Sequence, residues 1–219
     1  MPFTDRVDAG RKLALVLARY RSMKPVILAL PRGGVPVAAE IARALKAPLD
    51  LILVRKLGVP FQRELAMGAL ADGEEPVVIR NEDVIRVAGV SEAQFRAVCD
   101  EELAEIERRR HRYLEGRRPM PVQGRTVIVV DDGIATGATT RAALKATRAR
   151  KPEKLVLAIP VAPSETLESM RDEADEVVCL EDYILFGGIS QFYNDFRQVS
   201  DEEVIALLRL TANRALHEN

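Results

Sequence analysis

The sequence predicts an α/β protein with three layers, in which helices cover both faces of a mostly parallel central sheet. Short apolar runs alternate with segments of helical periodicity, which is the order typical of parallel sheets. The apolar runs have no polar break, as expected of strands that are buried on both faces. The 219 residues, 47% of them hydrophobic, suffice for a sizeable core. We therefore expect a single domain over residues 1–219.

The charge balance and the hydropathy argue against two kinds of partner. The formal net charge is −1, whereas proteins that bind duplex nucleic acid through a broad face carry a large positive surplus. The longest apolar run, LVLAIPVAP, is about half as long as the ~18 residues that a membrane span requires. The charged N-terminus lacks the apolar core of a signal peptide. We expect a cytoplasmic protein that binds neither nucleic acid nor membranes.

The elements of the first half follow from the spacing of apolar residues. Val7, Leu13 and Val16 recur at helical intervals, which predicts an opening helix. VILAL and LDLILV are short apolar runs and therefore strands. RKLGVPFQREL contains a glycine and a proline, which favours a loop. In chain order we predict a helix at 5–20, a strand at 26–30, a helix at 35–45, a strand at 49–54, a loop at 55–65, and short strands at 65–70 and 77–80.

Two capping boxes mark helix starts in the second half. Ser91 with Gln94, and Ser200 with Glu203, match the pattern in which the first and fourth residues cap each other. Gly116 is a suitable terminator for the first of these helices, whose basic end, ERRRHR, is interpreted as a solvated face. The remaining predicted elements are strands at 126–130, 155–161 and 176–180, helices at 138–150 and from Ser164, and a final helix at 202–216.

The stretch VIVVDDGIATGATTRAAL places two carboxylates at the end of the clearest strand. Ligands of open α/β sheets gather beyond the carboxyl ends of the strands, where Asp131 and Asp132 stand. Adjacent carboxylates repel each other unless both are solvated or a polyhydroxyl or cationic ligand lies between them. The loop that follows opens a helix, whose free N–H groups can bind an anion, and its threonines add hydroxyl donors. Carboxylates that can bind sugar hydroxyls, next to a loop that can bind phosphate, indicate that the ligand is a sugar phosphate.

Other phosphate-binding motifs fit this stretch poorly. A Walker loop requires Gly-Lys-Ser/Thr, and no lysine follows Gly137. A dinucleotide fingerprint has its acidic residue after the next strand, whereas both acids here precede the loop. A plain helix cap would account for one Asp and one Thr, and would leave the second acid and the other threonines unexplained.

The stretch resembles the phosphoribosyl-pyrophosphate (PRPP) motif of type I phosphoribosyltransferases. Both have four apolar residues, two acids, and a loop with Thr-Gly and a further Thr, and the order of elements over residues 26–180 is also similar. The resemblance implies a phosphoribosyltransferase-like fold in which Asp131 and Asp132 hold the ribose 2′- and 3′-hydroxyls. It places the 5′-phosphate on the loop residues Ala135, Thr136, Gly137, Ala138, Thr139 and Thr140.

A second segment matches the pyrophosphate loop of the same family. That loop follows the first core strand, often with a strained or cis peptide, and here Pro31-Arg32-Gly33-Gly34 follows VILAL. Glycines let the backbone approach an anion closely, and Arg32 can bind phosphate oxygens in a forked geometry. We therefore expect Arg32, Gly33 and Gly34 to contact pyrophosphate.

A third segment, RKLGVPFQREL, matches the position at which family members carry a basic residue and a mobile loop that closes over the reaction. Arg55 and Lys56 are the candidates for pyrophosphate contacts, and Arg63 and Glu64 lie on the loop. A solvated basic turn explains Arg63 and Glu64 equally well.

The resemblance implies a transferase that passes the phosphoribosyl group of PRPP to a nucleobase or related acceptor and releases pyrophosphate. Catalytic roles would fall to Asp131, Asp132, Arg32 and Lys56. The reaction passes through an oxocarbenium-like state, so the protein orients the reactants and places charge. Mg²⁺ is the implied cofactor and would bind through PRPP. No metal site made of protein side chains alone is predicted, and Asp131 and Asp132 are the candidates for a carboxylate contact to the ion.

The acceptor is expected to be recognised by a variable hood, which we assign to residues 81–118 and 183–199. The 6-oxopurine branch of the family usually has Asp just before Thr-Gly, where this chain has Ala135. A hypoxanthine–guanine enzyme that uses this Asp as its general base is therefore disfavoured. Half of the aromatic side chains lie in 183–196 and could stack on a base or pack against the last helix. The helix from Ser91 could cover the site or form a homodimer contact.

Two other functions stay open at this point. A regulatory protein of the same fold would sense PRPP while it binds another macromolecule, without robust transferase activity. A phosphatase or other sugar-phosphate enzyme on an unrelated α/β fold would need a nucleophile or metal cluster, which we do not find in the sequence.

Overall fold

A parallel five-stranded sheet forms the centre of the fold. The structure is a computed structural model, and it describes residues 2–73, 76–115, 117 and 119–217, with the side chains of the last helix described up to Thr211. In chain order its elements are α1 (Arg6–Val16), β1 (Val26–Ala29), α2 (Gly34–Leu45), β2 (Leu49–Leu51), β3 (Val54–Val59), β4 (Gln62–Ala71), β5 (Val77–Arg80), α3 (Glu82–Val87), α4 (Glu92–Leu114), β6 (Thr126–Val130), α5 (Ala138–Ala149), β7 (Lys154–Pro163), α6 (Ser164–Met170), β8 (Glu176–Tyr183) and α7 (Asp201–His217). The central strands lie in the order β2-β1-β6-β7-β8 and every pairing is parallel.

Both faces of this sheet are covered by helices, which confirms the three predicted layers. Ile27 and Ile128 point to one face, where they pack with buried residues of α1, α2, α4 and α7. Val127 and Val129 point to the other face and pack with α5 and α6. Side chains alternate between the faces of a strand, so uninterrupted apolar strands such as β6 supply both cores.

The predicted loop at 55–65 is wrong, because the chain forms an antiparallel hairpin there. Strands β3 and β4 pair from Val54 to Ala71, and β5 completes a second, three-stranded sheet. Gly58 lies at an irregularity in the register, where a Cβ would come within 2.4 Å of the Arg63 carbonyl oxygen. The glycine thus permits β3 and β4 to pair closely in a segment for which its presence had favoured a loop.

Other boundaries differ by short stretches. The opening helix becomes a 3₁₀ helix at Leu17–Met23, and α3 was not predicted. Both capping boxes are confirmed, since the N–H of Gln94 donates to Ser91 Oγ at 3.3 Å and that of Glu203 to Ser200 Oγ at 3.2 Å. The predicted terminator Gly116 lies outside the described residues. No helix within those residues combines the length and the apolarity needed to cross a membrane.

A buried charge cluster joins α4 to both sheets. Arg110 pairs with Asp72, at the end of β4, and its Nη2 lies 3.3 Å from Oδ2 of Asp50 in β2. Asp50 also accepts from the N–H of Met120 at 2.7 Å, and Asp72 from that of Leu53 at 2.8 Å. Burial raises the pKa of Asp72, although the Arg110 charge opposes that shift. Arg110 is therefore an exception to the predicted solvated face of α4.

Candidate functional site

Asp131 and Asp132 follow β6 at the carboxyl edge of the central sheet, but their surroundings differ. Asp132 is buried, and its Oδ2 accepts from Arg6 Nε at 2.7 Å. Asp131 is half-buried, and its Oδ1 accepts from the N–H of Asp132 at 2.9 Å. The structure brings the two predicted acids to the expected edge of the sheet, yet gives an arginine partner to Asp132.

The Asp131 carboxyl holds its proton more tightly than an ordinary aspartate. Burial is the largest cause of its raised pKa, and the neighbouring Asp132 carboxylate is the next. A hydrogen bond with the Thr140 side chain acts in the opposite direction. A hydroxyl donor or a cation placed beside Asp131 would stabilise its charged form.

The 135–140 loop presents hydroxyl groups and free backbone N–H groups next to Asp131. Thr136 and Thr139 are exposed, whereas Thr140 is buried. Gly137, with a φ of 73°, is the N-cap of α5, and no side chain caps this helix end. Because the first N–H groups of a helix have no partner inside the helix, they can bind an anion. The predicted phosphate cradle thus has exposed donors at Thr136 and Thr139, while Thr140 faces inward.

Gly137 is required for both its backbone conformation and its packing. A Cβ at this position would lie 2.4 Å from Met170 Cε and 3.0 Å from Thr166 Cγ2. We expect Gly137→Ala to lower the free energy of unfolding by more than the ~1–3 kcal/mol that the unfavourable backbone conformation alone costs, because overpacking against Met170 and Thr166 adds about 1–3 kcal/mol. Gly124→Ala is the matched control, since Gly124 has a φ of 65° with nothing within 4 Å. Equal losses in urea denaturation would contradict the packing argument.

The PRGG loop (31–34) lies directly against the two acids. Its Pro31–Arg32 peptide is cis, as the family resemblance led us to expect. A Cβ on Gly33 would lie 2.0 Å from Asp132 Oδ2, and one on Gly34 would lie 2.7 Å from the Val130 carbonyl oxygen. The two glycines are therefore needed for contact with the end of β6, a role that the sequence analysis did not assign to them.

Arg32 extends from this loop toward the start of α7. Its Nη1 lies 3.7 Å from Asp201 Oδ1, and its side chain is 39% exposed. Asp201 also accepts from Tyr113 Oη at 2.6 Å and pairs with Arg112 at 2.8 Å. Burial, followed by the hydrogen bond to Asp201, raises the pKa of Tyr113 to about 12. Arg32 therefore has an accessible guanidinium at the edge of the site with one carboxylate neighbour.

The amino-acid sequence that forms this site matches the model of a known protein family. The family model of the phosphoribosyl transferase domain matches residues 5–197. The chain belongs to the phosphoribosyl transferase family. The described topology agrees with that family's fold, in which a mostly parallel sheet carries the motif loops at its carboxyl edge.

Relatives of this phosphoribosyl transferase domain include two mycobacterial proteins and one solved structure. MT0597 and Rv0571c, provisionally named phosphoribosyl transferases of Mycobacterium tuberculosis strains CDC 1551 / Oshkosh and ATCC 25618 / H37Rv, are each 50% identical over 206 residues. The match covers 94% of this chain and 46% of each relative, so the chain spans about half of their length. The protein TT1426 from Thermus thermophilus is 39% identical, with a TM-score of 0.83, over 95% of this chain and 98% of TT1426.

The hairpin of the phosphoribosyl transferase domain separates two predicted pyrophosphate ligands. Arg55 and Lys56 are neighbours on β3, so their side chains leave opposite faces of the strand. Arg55 Nε pairs with Glu102 of α4 at 2.5 Å, whereas Lys56 Nζ lies 3.2 Å from Glu64 Oε2 across the hairpin. The two side chains are therefore directed to opposite faces of the hairpin, each with a carboxylate partner. Both stay predicted contacts of pyrophosphate.

The aromatic side chains of 183–196 pack with one another beside the phosphoribosyl transferase site. The Phe192 ring centroid lies 4.5 Å from that of Tyr183 and 5.0 Å from that of Phe186. Tyr193 lies 5.1 Å from Phe196, and its hydroxyl donates to the Asp132 carbonyl oxygen at 2.6 Å. Through Tyr193 this aromatic group contacts the end of β6. The role of these rings in stacking on an acceptor stays a prediction.

Sequence reasoning missed Arg6 and Tyr193, which both hold Asp132. Arg6 is 126 positions away from its carboxylate partner, and no local motif marks it, because the residues around it show only helical periodicity. Tyr193 was among the aromatic candidates for the hood, and in the structure its hydroxyl donates to the main-chain oxygen of Asp132.

Proposed function

We propose that the protein binds PRPP together with Mg²⁺ and transfers the phosphoribosyl group to a nucleobase or related acceptor, with release of pyrophosphate. The observation that carries the proposal is the uncapped start of α5, with the exposed Thr136 and Thr139, in the stretch that follows Asp131 and Asp132. Membership of the phosphoribosyl transferase family supports the reaction class.

The three groups of PRPP fit three adjacent parts of the site. The N–H groups and hydroxyls of the 135–140 loop would hold the 5′-phosphate, and the acids after β6 would face the ribose. The PRGG loop and Arg32 would hold pyrophosphate. The proposal is supported by the close approach of the glycines to the acids, because ribose and pyrophosphate are directly bonded in PRPP.

The chemistry requires placement of charge rather than a protein nucleophile. Departure of pyrophosphate leaves positive charge on the ribose ring, and a carboxylate at Asp131 would stabilise it. The loops fix the ring relative to the acceptor, which replaces an encounter between free molecules with an oriented one. A base stacked near Ala135 would meet no carboxylate at that position, so residue 135 would neither give nor take a proton in the reaction.

Mg²⁺ fits the site only as an ion that PRPP and the protein bind together. Among the described residues no three His, Cys, Asp or Glu side chains are grouped to hold a metal ion, and Asp132 is paired with Arg6. Mg²⁺ commonly takes one or two carboxylates and completes its shell with substrate phosphates and water. Asp131 is the residue that would hold it, and the bound ion would neutralise charge on the departing pyrophosphate.

Calorimetric titration with PRPP and Mg²⁺, followed by an assay of pyrophosphate release over a panel of nucleobases, tests the proposal. We expect saturable PRPP binding and release of pyrophosphate with at least one acceptor. Binding without turnover would favour the alternative of a PRPP-sensing regulatory protein. An absence of PRPP binding would contradict both functions.

The phosphate cradle makes a separate prediction. Thr136→Val and Thr139→Val each remove one hydroxyl and keep the side-chain shape, so each should weaken binding of ribose 5-phosphate by about 1.5–3 kcal/mol, the contribution of a hydrogen bond to a charged group. Thr4→Val, at an exposed threonine outside the site, is the control in the same calorimetric series. Losses no larger than that of the control would place the phosphate elsewhere.

A further inference from the structure

The guanidinium of Arg32, in the PRGG loop, has a carboxylate neighbour without being hydrogen-bonded to it. Its Nη1 lies 3.7 Å from Asp201 Oδ1, which is longer than a hydrogen bond. The described part of the chain offers this guanidinium no hydrogen-bond acceptor, and the side chain is 39% exposed. The N–H donors of Arg32 are therefore available to an anion that enters beside the loop.

The carboxylate of Asp201 is held in place by groups other than Arg32. Tyr113 Oη donates to its Oδ1 at 2.6 Å, and Arg112 Nη1 lies 2.8 Å from its Oδ2. Both partners belong to the last turn of α4, and the ring of Tyr113 is buried. Asp201 is also the first residue of α7, directly after the capping residue Ser200. The carboxylate therefore keeps its position whether or not Arg32 is engaged.

The local charges leave the positive charge of Arg32 uncompensated. Asp201 lies between two guanidinium groups, those of Arg112 and Arg32, so these three side chains have one net positive charge. Glu202 also pairs with Arg112, at 3.3 Å, but it is 77% exposed and such pairs are largely screened by water. Asp201 can therefore direct the guanidinium of Arg32 without cancelling the charge that an anion would meet.

This contact joins the C-terminal helix to the loop that is proposed to bind pyrophosphate. The PRGG loop leads into α2, and α7 packs against both α2 and α4. A long side chain loses rotamer freedom when it binds a ligand. A fixed charge that already restricts Arg32 in the free protein reduces the loss that accompanies binding.

We infer that Asp201 is a positioning residue of the proposed pyrophosphate site: its carboxylate, fixed by Tyr113 and Arg112, holds the guanidinium of Arg32 in the direction in which it binds pyrophosphate. The inference rests on the proposed function and adds to it a residue outside the motif loops. Asp201 acts through Arg32 and contacts no substrate atom. Its loss should therefore affect pyrophosphate and spare ribose 5-phosphate, whose phosphate is assigned to the 135–140 loop.

Calorimetric titration with pyrophosphate and with ribose 5-phosphate, each with Mg²⁺, tests this role. Asp201→Asn keeps an oxygen that can accept from Tyr113 and removes the charge that faces Arg32. It should weaken pyrophosphate binding about 3- to 10-fold, which is the fold-change equivalent of ordering one long side chain. Binding of ribose 5-phosphate should be unchanged. Equal losses for the two ligands would indicate a general structural effect and would overturn the inference.

Glu202→Gln is the matched control, because it removes the neighbouring carboxylate from the same turn of α7. Glu202 pairs with Arg112 but not with Arg32. Each variant removes one negative charge near an anion site, so a general electrostatic gain would appear in both, and only Asp201→Asn should show a loss. If Asp201→Asn bound pyrophosphate as tightly as Glu202→Gln does, Asp201 would have no positioning role. Tighter binding than wild type would make it a competitor of the ligand.

A double variant tests whether Asp201 acts through Arg32. Arg32→Met alone should weaken pyrophosphate binding, and adding Asp201→Asn should weaken it no further, because the effects of residues that act as one unit are not additive. A further loss as large as that in the wild-type background would show that Asp201 acts independently of Arg32, which would overturn the inference.

Side-chain NMR relaxation of the free protein supplies a readout that needs no ligand. In wild-type protein the Nε of Arg32 should be less mobile on the ps–ns timescale than that of Arg86, whose side chain is 75% exposed and whose partner Asp83 is 82% exposed. In Asp201→Asn the mobility of Arg32 should approach that of Arg86. Equal mobility of the two arginines in wild-type protein would overturn the inference, even where the variant does not fold. Wild-type protein that binds no pyrophosphate would remove the proposed function, while the relaxation result would still decide whether Asp201 restricts Arg32.

Discussion

Asp131→Asn should abolish most of the proposed transferase activity and, at the same time, stabilise the free protein at neutral pH. The loss of activity follows because asparagine cannot supply negative charge to an oxocarbenium-like ribose; we expect kcat/KM to fall about 100- to 1000-fold, the range for loss of one electrostatic group. The gain in stability follows from the raised pKa of Asp131, which burial causes. At neutral pH the folded wild-type protein has to ionise the Asp131 carboxyl group where its charge is unfavourable. The asparagine of the variant has no carboxyl group to ionise.

The pH dependence of this stabilisation has a definite sign. A raised pKa in the folded state means that the folded protein binds more protons than the unfolded chain, so wild-type stability falls as pH rises from the ordinary range of aspartate, about 4, through the raised value. The difference in melting temperature between Asp131→Asn and wild type should therefore grow with pH and vanish in acid. Thermal denaturation between about pH 3 and pH 8 measures it.

Asp8→Asn is the control with the opposite sign. A hydrogen bond from Lys12 is the largest cause of the lowered pKa of Asp8, so its charge stabilises the folded state above the ordinary aspartate range and is lost as pH falls through the lowered value. This variant should be less stable than wild type at neutral pH. If Asp131→Asn behaved in the same way, the Asp131 carboxylate would be stabilising the fold, and the electrostatic argument for it as a ligand-dependent charge would be wrong.

Arg110→Met should produce the largest loss of stability. The substitution leaves Asp50 and Asp72 buried next to each other without their shared cation, and breaking a buried ion pair in this way costs about 3–5 kcal/mol. Arg109→Met is the control on the same helix, because Arg109 pairs with Glu105 at a partly exposed position and such pairs contribute about 0–1 kcal/mol. Urea denaturation of both variants gives the comparison.

A neutral version of the cluster separates charge from packing. Arg110→Met combined with Asp50→Asn and Asp72→Asn removes the uncompensated carboxylates, so it should recover part of the loss caused by Arg110→Met alone. A triple variant that is less stable than the single one would mean that the hydrogen bonds of the two carboxylates to Leu53 and Met120 contribute more than the ion pairs.

The parts of the site that were predicted correctly are local in sequence. The strand β6, its two acids and the loop that opens α5 occupy one continuous stretch, and each capping box spans four residues, so neighbouring residue types are sufficient to indicate them. The alternation of apolar runs with segments of helical periodicity is local too, and the parallel sheet with helices on both faces confirms the fold class predicted from it.

The parts that were missed depend on contacts between distant residues. Arg6 cannot be linked to Asp132 without knowledge of how α1 packs against the sheet. The hairpin was read as a loop because Gly58 and Pro60 usually interrupt strands, whereas here the pairing bends at Gly58 and continues. The error had a consequence for function, since only a strand assignment reveals that Arg55 and Lys56 point in opposite directions.

The contact between Gly33 and Asp132 also constrains how this chain can change in evolution. The two residues occupy one shared volume, so an alanine at position 33 is compatible with the fold only if residue 132 becomes smaller or moves. Replacement of Asp132 by a smaller residue would also leave Arg6 without its carboxylate. Positions 6, 33 and 132 should therefore be inherited as a set, and a homologue that has replaced one of them is expected to have replaced the others.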